Sequence, residues 1–152
     1  MATSDHSGAL SDFVSGLRFQ DLPGPVIERL KLSILDTLGC GVYGSTTPWG
    51  RIVSDYARRV DGRCILWGSG GRSDAANAAL ANGTMVHSFE LDDVHYGGRL
   101  HPGGVTVTVA LALAAENGGV SRRDLLTALA AGYESVIRVG ICQGVSAFNR
   151  GA

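Results

Sequence analysis

The sequence predicts an all-α fold that is mostly helical. Apolar residues recur three and four positions apart over several long segments, which is the period of one face of a helix. Prolines and small polar residues stand where these segments begin, as they do at helix N-termini. The 152 residues are enough for a domain with its own core. We expect a flexible leader over residues 1–9, which are polar, and a partial helical domain over residues 10–152.

The first three helices are predicted in order from these signals. The segment from Leu10 to Phe19 predicts a short helix, and Pro25 has the place of a first-turn proline in a second helix. That helix is expected to end near the glycines at 39–44. Thr47 and Pro48 predict the cap and the first position of a third helix. Its apolar stripe, which we expect to be buried, consists of Trp49, Ile52, Val53, Tyr56, Ala57 and Val60.

The second half of the chain continues the helical pattern after one short extended segment at residues 63–67. The glycine-rich residues 68–71 lack the lysine and the order of a phosphate-binding loop, so they predict a plain loop. Ser73 is expected to cap a fourth helix over residues 75–86. Residues 105–109 alternate like a strand, but the helical continuation through residue 116 predicts a buried fifth helix. Ser121 and Asp124 form a capping pair for one long last helix.

Composition excludes several classes of protein. The formal net charge of −1 gives no reason to expect nucleic acid or an anionic membrane as a partner. We find no apolar run of about 20 residues to span a bilayer and no signal-peptide pattern, so we expect a cytoplasmic protein. Three cysteines far apart in the chain predict free thiols in a reducing compartment.

A cluster of titratable residues between positions 87 and 104 is the most informative feature. Three carboxylates and three imidazoles fall within fifteen residues of an otherwise apolar chain. Glu90 and Asp93 are three positions apart, so a continuing helical turn would place them on one face. Carboxylates that share a site raise the pKa of one of them, which suits general acid–base catalysis. His101 titrates near neutrality, and the glycines after it leave backbone N–H groups available for an anion. We infer a proton-transfer site.

Simpler interpretations of the same residues stay open. The acidic residues can be solvated surface groups, His87 a core or supporting histidine, and His95 a loop residue. A metal site is a further alternative, but its spacing matches no standard zinc or iron pattern, and we predict neither metal nor cofactor. The residues that could assemble it are His87, Asp92, Asp93, His95 and His101.

Taken together, several segments resemble the MmgE/PrpD family. These are residues 81–83, 87–93 and 101–104, with further similarity at residues 35–40, 74–80 and 132–134. The resemblance covers the chain from about Phe13 onwards. It implies the N-terminal portion of a helical domain, with the α/β lid domain of the family absent from this chain. It also implies an enzyme without metal or organic cofactor that forms homodimers and acts on small polycarboxylates.

The resemblance implies roles for particular residues. Glu90, Asp93 and His101 take catalytic positions, and Asp92, Arg99, Gly103 and Gly104 are expected to bind substrate. A second histidine of the family site would follow Arg150 and Gly151, beyond Ala152, and further lysines would follow too. Val94 stands where a threonine is frequent, which leaves the exact substrate open. We therefore expect the chain to be incomplete at its C-terminus and nearly inactive alone.

The predicted function is that of a lyase or isomerase that abstracts a proton next to a carboxylate of a di- or tricarboxylate. The resemblance places a 2-methylcitrate dehydratase-like activity first, with decarboxylation or epimerisation as alternatives. A non-enzymatic alternative is a truncated helical fragment that serves only for dimerisation.

Overall fold

The computed structural model describes residues 5–149, and for residues 145–148 only the backbone. Within that range the chain forms six α-helices, a short 3-10 helix at Phe19–Asp21 and one two-stranded hairpin, which confirms the all-α class. The helices are α1 His6–Gly16, α2 Gly24–Gly44, α3 Pro48–Ala57, α4 Ala75–His87, α5 Pro102–Glu116 and α6 Arg122–Phe148. The strands are β1 Cys64–Leu66 and β2 Gly71–Ser73. Arg150 and Gly151, named above, lie outside the described residues.

Helix α1 begins earlier than the sequence predicts. The Asp5 carboxylate accepts a hydrogen bond from the N–H of Gly8 at 2.8 Å and caps the helix before His6. The predicted leader over residues 1–9 is therefore wrong for residues 6–9, which are helical. The polar composition concealed this turn, because the capping aspartate and not an apolar stripe marks its start.

The cap predicted for α3 is confirmed, but its buried stripe is confirmed only for Ala57, which is fully buried, and Val53, which packs against the core partly buried. Thr47 Oγ1 accepts from the N–H of Gly50 at 3.1 Å, and Pro48 is the first helical residue. The large side chains face solvent, with Ile52 71% exposed, and Trp49, Tyr56 and Val60 also exposed. The buried face consists of Gly50, Ser54 and Ala57. Helix α3 packs through its small residues, since these let it approach its neighbours closely.

A hairpin replaces the single extended segment of the prediction. Strands β1 and β2 pair antiparallel, with Cys64 opposite Ser73. Gly68 and Gly70 have φ of +67° and +70°, values that glycine adopts without strain, and they turn the chain between the strands. The expected loop is thus a hairpin turn. Asn82 anchors this hairpin to α4, because its side chain accepts from the N–H of Trp67 and donates to the carbonyl of Ile65, both at 3.0 Å.

Helix α4 lies at the centre of the fold, against α2, α3 and α5. Its cap is Asp74, which accepts from the N–H of Asn77 at 2.8 Å; the predicted cap, Ser73, ends β2 instead. Helix α5 is helical throughout, as predicted, but only one of its faces is buried.

Three clusters of buried apolar residues form the core around α4 and α5. The first contains Ala57, Leu66, Ala78, Ala81 and Ala112, the second contains Leu30, Val107, Leu126 and Leu129, and the third contains Cys40, Trp67 and Val86.

The capping pair of α6 is confirmed. The Ser121 hydroxyl accepts from the N–H of Asp124 at 3.1 Å and donates to its carboxylate at 2.8 Å. Residues Arg122–Gly144 are long and apolar enough to cross a membrane by length and composition, although the sequence analysis found no such run. This is weak support for a membrane span, because the core helix of a soluble domain passes the same test. Leu129 of this helix is fully buried in the core.

The described fold leaves much apolar surface uncovered. The chain exposes 9313 Å², whereas a compact folded monomer of this mass exposes about 7,300 Å². The exposed apolar residues beside the cleft described below are Trp49, Leu80, Val105 and Val109. Packing within the described part of the chain therefore leaves these apolar faces uncovered.

The contact between α2 and α4 depends on a glycine, and this can be tested. A Cβ on Gly44 would overlap the backbone carbonyl of Met85, whereas one on Gly39 would meet no atom within 4 Å. We expect Gly44→Ala to lower the free energy of unfolding by about 1–3 kcal/mol, because the backbone of α4 must shift. The control Gly39→Ala should raise it by about 0.5–1 kcal/mol, because alanine favours the helix. Urea denaturation of both variants measures this, and equal midpoints would contradict the packing.

Candidate active site

The end of α4, the loop that follows it and the start of α5 together form the candidate site. Helix α4 ends at His87, and Glu90, three residues later, has φ of +57°. This left-handed conformation disfavours a non-glycine residue and breaks the helical path. Glu90 and Asp93 consequently do not share a helix face, which corrects the prediction. The turn instead brings the Glu90 carboxylate back to the last residue of α4.

Two imidazoles lie side by side between two carboxylates. The rings of His87 and His101 have centroids 4.2 Å apart and are tilted by 59°. Asp92 Oδ1 lies 3.3 Å from His87 Nδ1 and 3.1 Å from His101 Nδ1. The two oxygens of Glu90 lie 3.2 Å from His87 Nε2 and 3.6 Å from His101 Nε2. Each imidazole therefore has a carboxylate oxygen within 3.6 Å of both of its nitrogens.

Asp92 supports this pair from inside the protein. Its side chain has no solvent exposure, and its Oδ2 has no hydrogen-bond partner among the described residues. Asp92 contacts both histidines from the enclosed side of the site. The contact between Asp92 and a substrate that the resemblance implies stays a prediction.

Asp93 faces away from the histidine pair and holds the first turn of α5. Its Oδ1 accepts from the N–H of Gly103 at 2.8 Å, and its Oδ2 accepts from the Tyr133 hydroxyl at 2.9 Å. Both oxygens are thus engaged, so Asp93 positions the first turn of α5, and the catalytic role that the resemblance implies stays a prediction. The N–H of Gly103 is engaged too, and is not available for a substrate anion as predicted. A Cβ on Gly103 would lie 2.7 Å from Asp93 Oδ1 and from Thr37 Oγ1, so only glycine fits.

Two groups with raised pKa values lie on the Asp93 side of the loop. Burial, and then the charges of Asp93 and Asp92, raise the pKa of Asp36 on α2. Burial and the nearby Asp93 also raise the pKa of Tyr133, so its hydroxyl stays protonated and donates. The sequence predicts that carboxylates sharing a site raise the pKa of one of them. The structure places that effect on Asp36, which the spacing of the cluster did not indicate.

A cleft of about 780 Å³ opens beside the imidazoles. Its other walls are mostly apolar side chains from α3, α4 and α5, and Gly104 contributes backbone to it as expected. Among the described lining residues there is neither lysine nor arginine. Arg99 lies in an exposed turn with φ of +50° and does not line the cleft, which counts against its predicted contact with substrate.

His87 is a cleft residue that sequence reasoning did not include among the candidate catalytic or substrate-binding residues. It is not a core residue: its side chain is 47% exposed and lines the cleft with His101. The available signal was its position three residues before Glu90. His95 is a loop residue, as expected: its Nδ1 accepts from the N–H of Gly98 at 2.9 Å, and its backbone pairs with Leu100. Of the five candidate metal ligands, the structure brings together only His87, Asp92 and His101.

Comparisons with known proteins agree with this architecture. Residues 8–149 match the MmgE/PrpD N-terminal domain, so the chain belongs to the MmgE/PrpD family, as its motifs predict. It is 33% identical over 153 residues to the cis-aconitate decarboxylase-like protein oryM of Aspergillus oryzae, a match that covers 93% of this chain and 31% of that protein. It is 29% identical over 145 residues to cis-aconitate decarboxylase of Aspergillus terreus, covering 91% of this chain and 30% of the enzyme.

The human enzyme extends this comparison. The chain is 35% identical over 127 residues to cis-aconitate decarboxylase of Homo sapiens, covering 80% of this chain and 26% of that enzyme. The chain thus spans less than a third of the length of these relatives. Lyases are therefore among the members of the family, and the matched region is their N-terminal helical domain.

The role of Asp93 predicts a loss of stability on substitution. Asp93→Asn keeps the shape of the side chain but turns an amide NH₂ towards a donor, so one buried hydrogen bond is lost. We expect the free energy of unfolding to fall by about 1–3 kcal/mol. The control Asp12→Asn makes the same chemical change on the exposed part of α1 and should stay within about 0.5 kcal/mol of the parent chain. Guanidinium denaturation compares them, and a stable Asp93→Asn would refute the positioning role.

The raised pKa of Asp36 predicts a pH dependence of stability. Because its folded pKa lies above the ordinary value of 3.8, its contribution to stability is complete below pH 3.8 and is lost as the pH rises through the folded pKa. Asp36→Asn should therefore be more stable than the parent at pH 7, by less than about 1 kcal/mol because Asp36 is only slightly buried and solvent screens its charge. The gain should vanish towards pH 3.8. Thermal unfolding across this range measures it, and a gain that grows on acidification would contradict the sign.

Proposed function

We propose that this chain supplies the proton-transfer site of a cofactor-free lyase that acts on a small di- or tricarboxylate. The observation that carries the proposal is the pair of imidazoles, His87 and His101, held between the carboxylates of Asp92 and Glu90. Histidine is the residue type whose charge changes near neutral pH, and the flanking carboxylates hold the two rings in place beside the cleft. The pair faces a cleft large enough for a molecule of this size.

We propose decarboxylation of cis-aconitate, or of a close analogue, as the reaction. The support comes from the relatives named above, which are cis-aconitate decarboxylases or similar to them. In such a reaction the bond between carbon and the leaving carboxylate breaks, and CO₂ departs. The electron pair moves into the adjacent unsaturated system, and the carbon that gains it takes a proton. His101 as imidazolium donates that proton, and exposed His87 relays a replacement from water.

A dehydratase of the 2-methylcitrate type is the second candidate, and the same pair favours it. Dehydration needs a base for the proton next to a carboxylate and an acid for the departing hydroxyl. Two adjacent imidazoles provide one of each. Epimerisation needs only removal and return of a proton, so it uses the same groups. Decarboxylation and dehydration are distinguished by the substrate that is turned over, cis-aconitate or 2-methylcitrate.

The cleft also supports a contribution from outside the described residues. A polycarboxylate needs cationic partners, and the described lining offers none. The exposed apolar surface around Trp49 and Leu80 supports association with further protein, and a homodimer is the state that we propose. A cytoplasmic location stays a prediction. If the longest natural form of the protein binds no polycarboxylate and shows no turnover, the alternative of a non-enzymatic dimerisation fragment is favoured.

Substitution of His101 tests the proposal in the longest natural form of the protein. We expect His101→Gln to lower kcat for CO₂ release from cis-aconitate by about 10²–10⁴, the usual contribution of a general acid or base, with KM little changed. His87→Gln should lower kcat as well. The control His95→Gln changes a histidine outside the pair and should leave kcat near the parent value. A kcat for His101→Gln close to that of the parent protein would refute the assignment.

A further inference from the structure

We propose that His87, Asp92 and His101 form a binding site for a divalent transition metal, with zinc as the preferred ion. One ligand atom from each residue lies within 4.8 Å of the others. The two other candidate ligands from the sequence do not join them. Asp93 is engaged by Gly103 and Tyr133, and His95 accepts from the N–H of Gly98. The fold therefore selects three ligands that sequence spacing did not single out.

The distances from Asp92 to the two histidines fit a tetrahedral zinc ion. Zinc binds histidine nitrogen and carboxylate oxygen at about 2.0–2.1 Å, so two ligands of a tetrahedral site lie about 3.3 Å apart. Asp92 Oδ1 lies 3.3 Å from Nδ1 of His87 and 3.1 Å from Nδ1 of His101. The three ligand atoms lie within 4.8 Å of one another, so the two imidazoles would have to approach each other to complete a tetrahedral site.

Unsatisfied buried atoms are the second observation. His101 Nδ1 is buried and makes no hydrogen bond, although Asp92 Oδ1 is only 3.1 Å away. Asp92 Oδ2 is also buried without a partner among the described residues, on a side chain that is fully enclosed. Such atoms are costly in a folded protein, and a cation bound between Asp92 Oδ1 and His101 Nδ1 would satisfy that nitrogen and offset the charge of the carboxylate. A carboxylate and an imidazole nitrogen without a partner lie together here, so the site favours a positive charge.

Glu90 completes the arrangement as a supporting residue. A histidine that binds metal through Nδ1 carries its hydrogen on Nε2, and metal-bound histidines usually donate that hydrogen to a carboxylate or carbonyl. The Glu90 oxygens lie 3.2 Å from Nε2 of His87 and 3.6 Å from Nε2 of His101. Glu90 therefore favours the His87 tautomer with its hydrogen on Nε2, and a metal ion at His87 Nδ1 would replace the hydrogen bond of that nitrogen with Asp92 Oδ1.

The donor set selects the ion. Two imidazole nitrogens and one carboxylate oxygen suit zinc, whereas magnesium and calcium prefer oxygen ligands alone. Three protein ligands leave a fourth position for water or an added anion. Under the proposed function, zinc would occupy the nitrogens that carry the proton and would inhibit the enzyme reversibly. That consequence rests on the proposed function, but the binding itself does not.

Zinc titration of the isolated chain, freed of metal with a chelator, tests the site. Calorimetry should detect one zinc ion per chain, and cobalt(II) in its place should give the visible absorption of a tetrahedral site. Cys142→Ser is used as the background, since that thiol is exposed and could bind zinc by itself. His87→Gln should weaken zinc binding at least about tenfold, as loss of a metal-site residue does. The control His95→Gln should bind as the background does.

Asp92→Asn gives a second measurement, and circular dichroism establishes that each variant keeps its helices. His87 is half-exposed, so its variant should fold even if burial makes Asp92→Asn unstable. A zinc affinity weaker than about 100 µM in the background chain would overturn the proposal. Equal zinc binding by the background and His87→Gln would overturn it too.

Activity in the longest natural form separates this proposal from the proposed function. Zinc binding that depends on His87 but leaves turnover unchanged would support the metal site and count against the catalytic pair. An absence of zinc binding together with an inactive His101→Gln would overturn the metal site and support the catalytic pair. Binding with inhibition that a chelator reverses would support both.

Discussion

The buried carboxylate of Asp92 is the constraint on which the site depends. A fully enclosed anion is stable only when it lies beside groups that donate hydrogen bonds or carry positive charge. Its neighbours are the two imidazoles, one from the end of α4 and one from the residue before α5. The loop between these helices must therefore bring His87 and His101 to the same atom. The left-handed conformation of Glu90 is part of that path.

The two neighbouring aspartates have separate roles because they point to opposite sides of the loop. Asp92 faces the histidines, while Asp93 binds the first turn of α5 and the hydroxyl of Tyr133. One aspartate thus determines the chemistry of the pair, and the other determines where the helix carrying His101 begins. Burial, and then the charges of both aspartates, raise the pKa of Asp36 on the neighbouring helix α2.

Small residues at the contacts let the helices approach closely, and the large apolar side chains of the same helices lie on the opposite, exposed faces. Helices α2, α3 and α4 meet through glycine, serine and alanine, so much of the apolar surface of α3 and α5 faces solvent. The cleft beside the imidazoles is bordered by this surface. A domain packed in this way holds a preformed set of titratable groups next to walls that further protein can cover. This agrees with a chain that spans less than a third of its relatives' length.

The sequence by itself determined the helices, most of their ends and the family. Caps and apolar spacing are local, so Thr47, Pro48 and the pair Ser121–Asp124 indicated true boundaries. The position of the titratable cluster was equally visible. Only the tertiary structure decided which cluster residues meet, because that depends on the turn at Glu90 and on Tyr133, forty residues after Asp93. It also decided which face of α3 is buried. Hydrophobic periodicity shows which face of a helix carries apolar side chains, but not whether other parts of the protein pack against that face.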